Sequence, residues 1–157
     1  MSASQLLVID FDGVIVDGMK EYWWSARQAC LKLLKDQPEP KILPHKIPLA
    51  FKFLRPWVHH GWEMVLIAAE LSNSESQLCK AGHLEFAQNY SQNCKQTLNK
   101  HAWDPNQLQE ALESVRRQAV HTNRSAWLSL HQPFPGVIER LQCLVSEGIE
   151  LVVLTTK

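Results

Sequence analysis

Two aspartates, Asp10 and Asp12, follow directly on the short apolar run Leu6 to Ile9 and are themselves followed by Gly13. In an extended chain, residues two apart project to the same side, so both carboxylates can address one ligand. Gly13 lets the backbone turn away without a side chain to block access. Carboxylates this close repel each other, which favours a divalent cation between them or a proton held on one of them. With one acid ionised and the other protonated, the pair has the parts for nucleophilic attack followed by general acid and base catalysis. A plain strand-to-turn junction would need neither two acids nor an apolar run ahead of them. A calcium loop is excluded: Asp10, Asp12 and Glu21 fall at the first, third and twelfth positions of an EF-hand loop, but Val14 and Ile15 stand at the fifth and sixth, where a ligand and a glycine belong.

The elements that must position these acids are legible in the periodicity. Gln5 to Ile9, with Val8 and Ile9 β-branched, reads as a buried strand ending at the two acids. Met19, Tyr22, Trp23, Ala26, Cys30, Leu33 and Leu34 recur at three and four residues, an amphipathic helix that Asp17 can cap. Pro38, Pro40, Pro44 and Pro48 then exclude regular structure. Between Leu49 and Leu71, Pro56 and Gly61 break an apolar stretch into a short helix and a longer one. Ser72 and Glu75 have capping-box spacing for a further helix whose face is Leu84, Ala87, Tyr90, Cys94 and Leu98.

Asp104-Pro105 supplies an N-cap and a first helical residue for a helix that buries Leu108, Ala111, Leu112, Val115 and Ala119. After the break at Gln132 to Gly136, the residues Val137, Ile138, Leu141, Leu144 and Val145 make a compact helix closed by Gly148. A second apolar strand, Ile149 to Leu154, ends in Thr155, Thr156 and Lys157. This order predicts an α/β chain in which the two strands are parallel neighbours joined by a right-handed crossover. In open α/β sheets ligands collect at the carboxyl ends of the strands, which is where Asp10, Asp12 and Thr155 stand.

The segment Leu7 to Asp17, with Asp10-Phe11-Asp12-Gly13 at its centre, resembles the first signature of the haloacid dehalogenase superfamily, in its phosphatase and phosphomutase branch. Phe134-Pro135-Gly136-Val137-Ile138, a helix, Gly148 and Leu151 to Lys157 are similar to the segment carrying the second signature in phosphoglycolate-phosphatase-like members. Together the two segments cover about forty residues in the right order. The resemblance implies a Rossmann-like core, here a partial one of two strands built from residues 1–17 and 133–157, and a large all-helical cap from 18–132. It implies an Mg2+-dependent phosphatase for a small phosphorylated metabolite, acting through an aspartyl-phosphate. Asp10 would be the nucleophile, Asp12 would protonate the leaving oxygen and then activate water, and Thr155 with Gly13 would face the phosphate. Magnesium would be held by the Asp10 carboxylate and the Asp12 main-chain carbonyl. The second acid also argues against the dehalogenase branch, which has no alcohol leaving group to protonate.

The same resemblance calls for a lysine beyond the second signature and one or two later aspartates, and neither precedes Lys157. The expectation is therefore a truncated chain with impaired activity and an unprotected two-strand sheet. A different reading of the residues is a non-catalytic helical module that keeps Asp10 and Asp12 as relics and binds a partner through its aromatic insert.

Sixteen basic residues balance sixteen acidic ones, which leaves no net field to attract nucleic acid or an acidic membrane surface. No signal peptide or membrane-length apolar stretch is read, so the expected address is the cytoplasm. Cys30, Cys79, Cys94 and Cys143 form no CxxC pair and are expected to be reduced, mostly core thiols. The six tryptophans, Trp23 to Trp127, are expected in the core. His59 with His60, and Cys79 with His83, lack further ligands for a metal, and Arg116 with Arg117 reads as a solvated helix face.

Overall fold

A computed structural model describes residues 5–38 and 41–155. The chain mixes helix and sheet: β1 (Leu6–Asp10), β2 (Val16–Asp17), α1 (Met19–Leu33), α2 (Leu49–Leu54), a 3-10 turn (Arg55–Trp57), α3 (Glu63–Leu71), α4 (Gln77–Ala81), α5 (His83–Gln88), α6 (Tyr90–His101), α7 (Pro105–Leu128), β3 (Gln132–Pro133), α8 (Val137–Ser146) and β4 (Glu150–Leu154). It divides into two compact units, one comprising residues 5–20 and 125–155 of those described, the other running from Glu21 to Arg124. Inside α7, Asn123 leaves helical geometry (φ −156°, ψ 85°) next to the second boundary.

The first unit carries both sheets. β1 and β4 are parallel neighbours, as the order of elements predicts, in the register Leu6 to Glu150 through Asp10 to Leu154. β2 and β3 form a two-residue antiparallel ladder, with Val16 opposite Pro133 and Asp17 opposite Gln132, which periodicity did not announce because so short a ladder has no alternation to read. Asp17 accepts a 2.8 Å hydrogen bond from the Met19 N–H and so caps α1. α8 closes at Gly148 (φ +86°), where the Gly148 and Ile149 N–H groups donate to Val145 and Leu144.

One expectation fails here: β1 is not buried. Leu6, Leu7 and Val8 are 58%, 39% and 50% exposed, and Val152, Val153 and Leu154 on β4 are likewise exposed. An apolar β-branched run specifies a strand, but burial needs a layer packed on its face, and α8 has no buried residue.

The second unit is a helical body around α3, of which every residue from Glu63 to Glu70 is buried. A helix enclosed on all sides must satisfy its polar groups locally. Tyr90 donates to Glu63 Oε2 at 3.0 Å, and Thr97 donates to Glu70 Oε1 at 3.0 Å. α3 packs against α2, α4 and α6, and the core of the unit also encloses Trp23, Ala26 and Cys30 from α1, Phe51 and Leu54 from α2, Phe86 from α5, and Leu108 and Leu112 from α7. The proline-rich loop is tied to α1 where Trp23 Nε1 donates to the Pro44 carbonyl (3.1 Å) and Arg27 Nε to that of Leu43 (2.9 Å). At the start of α7 the Asp104 carboxylate accepts from the N–H groups of Asn106 and Gln107, so that cap forms where the sequence placed it.

Four further expectations need correction. The cap of the helix after α3 is Ser76, whose hydroxyl accepts from Cys79 N at 3.1 Å; Ser72 instead donates back to Ala69. The single helix expected to run from the Ser72 cap through Leu98 is three helices, broken at Gly82 (φ +85°) and Asn89. Of the expected face Ala87, Tyr90 and Cys94 are buried, but Leu84 is 64% exposed, and Phe86, Asn93 and Thr97 are buried beside them. Of the tryptophans only Trp23 is fully enclosed, and Trp57 is 37% exposed. Arg116 is not a solvated residue, since its guanidinium pairs with the buried Glu21. Of the free cysteines, Cys30 and Cys94 are buried, whereas Cys79 and Cys143 are exposed.

Candidate active site

The first unit places three of the four residues expected at the site on one continuous stretch. Asp10 is the last residue of β1, exposed, with its Oδ1 accepting a 2.7 Å hydrogen bond from the Phe11 N–H. That contact holds one carboxylate oxygen toward the backbone of the turn; among the described residues no donor reaches the other. The chain then folds back over Phe11 to Val16. Ile15 and Val16 N–H groups both donate to the Phe11 carbonyl, at 3.0 and 3.1 Å, and Gly13 N–H donates to that of Val16 at 2.8 Å. Asp12 sits inside this turn, bridged to Val16 and half-buried.

Gly13 has φ +81°, a backbone conformation that a side chain would strain. An added Cβ would meet nothing within 4 Å, so the requirement for glycine comes from the backbone angle and not from crowding. The turn is anchored by Ile15 and Val16, 6% and 4% exposed, while Val14 projects outward at 48%. The acids thus lie on a rigid turn with a buried base.

Thr155 enters through strand register. Asp10 pairs with Leu154, so Thr155 is the first residue past the ladder on β4, as Phe11 is on β1. A parallel pairing brings both strands to the same end, and the exposed Thr155 therefore leaves the sheet beside Asp10. Thr156 and Lys157 lie outside the described residues.

Three residues of this unit come near the turn without a sequence signal. His131 lies with its ring centroid 6.4 Å from that of Phe11, between the two acids, and 5.3 Å from that of Trp127. Lys20 donates at 3.3 Å to the side-chain oxygen of Gln132, which pairs with Asp17 in the β2 and β3 ladder. More than a hundred residues separate these partners in sequence, and only the fold joins them.

Asp10 and Asp12 are the donors available for a divalent cation at this turn. Among the described residues, no group of three or more His, Cys, Asp or Glu side chains could hold a metal ion. Two carboxyl groups do not make a closed protein cage, so a divalent cation held there would take most of its ligands from water. His59 with His60, and Cys79 with His83, also gain no third ligand: the His60 ring stacks on Trp62 and that of His83 packs against Phe53.

No family model, curated protein or solved structure matches this chain.

Proposed function

We propose that this chain is a haloacid-dehalogenase-like hydrolase, a magnesium-dependent phosphatase for small phosphate monoesters, with Asp10 as nucleophile. The observation that carries the reading is the juxtaposition of Asp10 and Thr155 at one end of a parallel strand pair, with Asp12 two residues on in a tight turn. In this reading the first unit is a partial Rossmann-like core and the second is the helical cap.

The free Asp10 oxygen attacks phosphorus, the ester oxygen leaves with a proton from Asp12, and an aspartyl-phosphate results. Water, deprotonated by Asp12, then attacks phosphorus, releases inorganic phosphate and returns Asp10. Thr155 donates to a phosphoryl oxygen and Gly13 leaves room for it. A magnesium ion would be held by the Asp10 carboxylate and the Asp12 main-chain carbonyl, and would offset repulsion between an anionic nucleophile and an anionic substrate.

The test is beryllofluoride with magnesium, followed by fluorine NMR. A bound signal that disappears in Asp10→Asn and weakens in Thr155→Val supports the proposal. No bound signal at millimolar ligand rejects it and favours a non-catalytic module. Turnover of p-nitrophenyl phosphate should be weak, and abolished in Asp10→Asn.

A further inference from the structure

The second unit holds an open cleft of about 300 Å³ between the 3-10 turn with the residues after it, represented by Trp57 and His59, and the junction of α5 with α6. This volume stands at the lower end of the range for small-molecule sites, room for one small ring. No lysine, arginine, aspartate or glutamate lines it. Besides His59, and Tyr90 whose hydroxyl is taken up by Glu63, its polar lining is Gln88, Asn89, Ser91 and Gln92, side chains that each donate and accept hydrogen bonds. A lining with no Lys or Arg offers an anion little counter-charge, but it matches hydroxyl groups, which both donate and accept.

Trp57 supplies the apolar surface. Its ring stacks on that of Phe53, with centroids 5.2 Å apart and planes at 20°, and Phe53 is braced in turn by the His83 ring at 4.5 Å. The indole is therefore a fixed platform, and at 37% exposure it remains open to a ligand.

The two walls are also fixed to each other. Glu63, 7% exposed, accepts at one oxygen from the His59 N–H (2.9 Å) and from the Tyr90 hydroxyl (3.0 Å). One buried carboxylate thus clamps a residue from each wall, which lowers the ordering cost of binding. Asn89, at φ −119° and ψ 31°, bends the chain between α5 and α6 so that the amides beside it face one opening.

We infer that this cleft binds a neutral polyhydroxylated ring, a monosaccharide unit, with its C–H face on Trp57 and its hydroxyls on Gln88, Asn89, Ser91 and Gln92. The inference is independent of Asp10.

Saturation-transfer NMR of the full chain with glucose, galactose, mannose and N-acetylglucosamine tests it, each at roughly 10 mM, tenfold above a dissociation constant of about 1 mM. The expected result is transfer to ring C–H protons of at least one sugar, unchanged in Asp10→Asn and lost in Trp57→Ala. Gln92→Ala changes an exposed side chain and should weaken binding about threefold to tenfold, the effect of one neutral hydrogen bond. No transfer from any of the four sugars overturns the inference. So does undiminished binding in a folded Trp57→Ala and Gln92→Ala pair, and so does displacement of the sugar by inorganic phosphate.

Discussion

Arg116 on α7 donates from Nε to Glu21 Oε1 at 2.9 Å and from Nη2 to Oε2 at 3.2 Å, a two-point fork to a residue 95 positions earlier in the chain. Glu21 is 0% exposed, and its Oε1 also accepts from the Ser25 hydroxyl at 2.6 Å. A carboxylate taken wholly out of water needs such partners, and the fork fixes α7 against α1 in one register.

Arg116→Ala should therefore destabilise the second unit by about 3–5 kcal/mol, because it strands the buried carboxylate. Glu21→Gln together with Arg116→Met, which removes both charges, should cost less than Arg116→Ala alone. Urea denaturation of the three proteins decides the matter, and a loss below about 1 kcal/mol in Arg116→Ala would show that Glu21 reaches water.

Asp104 serves two N–H groups at the start of α7, and Asp17 serves one at the start of α1. Asp104→Ala should cost about 1 kcal/mol and Asp104→Asn less, since asparagine keeps an acceptor oxygen. Equal losses in the two variants would mean that charge at the helix start, and not the cap itself, carries the effect.

Burial pushes the thiols of Cys30 and Cys94 from about 9.0 up to about 12, and burial also raises the Tyr90 hydroxyl, with the Cys94 and Glu63 charges adding to the shift. In the unfolded chain these groups lose protons at ordinary pH values, so the stabilisation from keeping them neutral is complete below about pH 9 and is lost as pH rises toward 12. Denaturation midpoints should fall across that window. At pH 8 iodoacetamide should label Cys79 and Cys143 in the native protein and reach Cys30 and Cys94 only after urea; labelling of all four at equal rates would contradict the enclosure of α1 and α6.

Val8 on β1 is 50% exposed, whereas Leu108 on α7 is 0% exposed. Val8→Thr keeps the β-branched shape and should change stability by less than about 0.5 kcal/mol, while Leu108→Ala should cost about 2–5 kcal/mol. Calorimetry of the two variants checks the contrast. A loss above about 2 kcal/mol in Val8→Thr would mean that the strand is covered in solution.

Much of the local structure could be read from residue order because it depends on neighbours in sequence. Asp17 and Asp104 cap the helices they precede, Gly148 closes α8, and Pro56 and Gly61 divide α2 from α3. Each is a contact or backbone angle settled within a few residues. The parallel neighbours β1 and β4 followed from the pattern of two apolar runs separated by helices. The pairing register of Asp10 with Leu154 did not.

The errors have one physical origin, which is that periodicity reports which residues are apolar but not what is packed against them. Leu6 to Val8 form a strand without being buried, and the stripe drawn through Leu84 and Leu98 ignored the breaks at Gly82 and Asn89. Glu21, Glu63 and Glu70 gave no warning at all, since an isolated glutamate at helical spacing looks solvated until Arg116, Tyr90 and Thr97 arrive from other helices. By itself the sequence determined the helices that begin at Asp17 and Asp104 with their caps, the helix closed by Gly148, and the two acids at a strand end. Tertiary structure alone decided which polar side chains were taken out of water and which distant residues met, because desolvation and register are set by contacts between segments far apart in the chain.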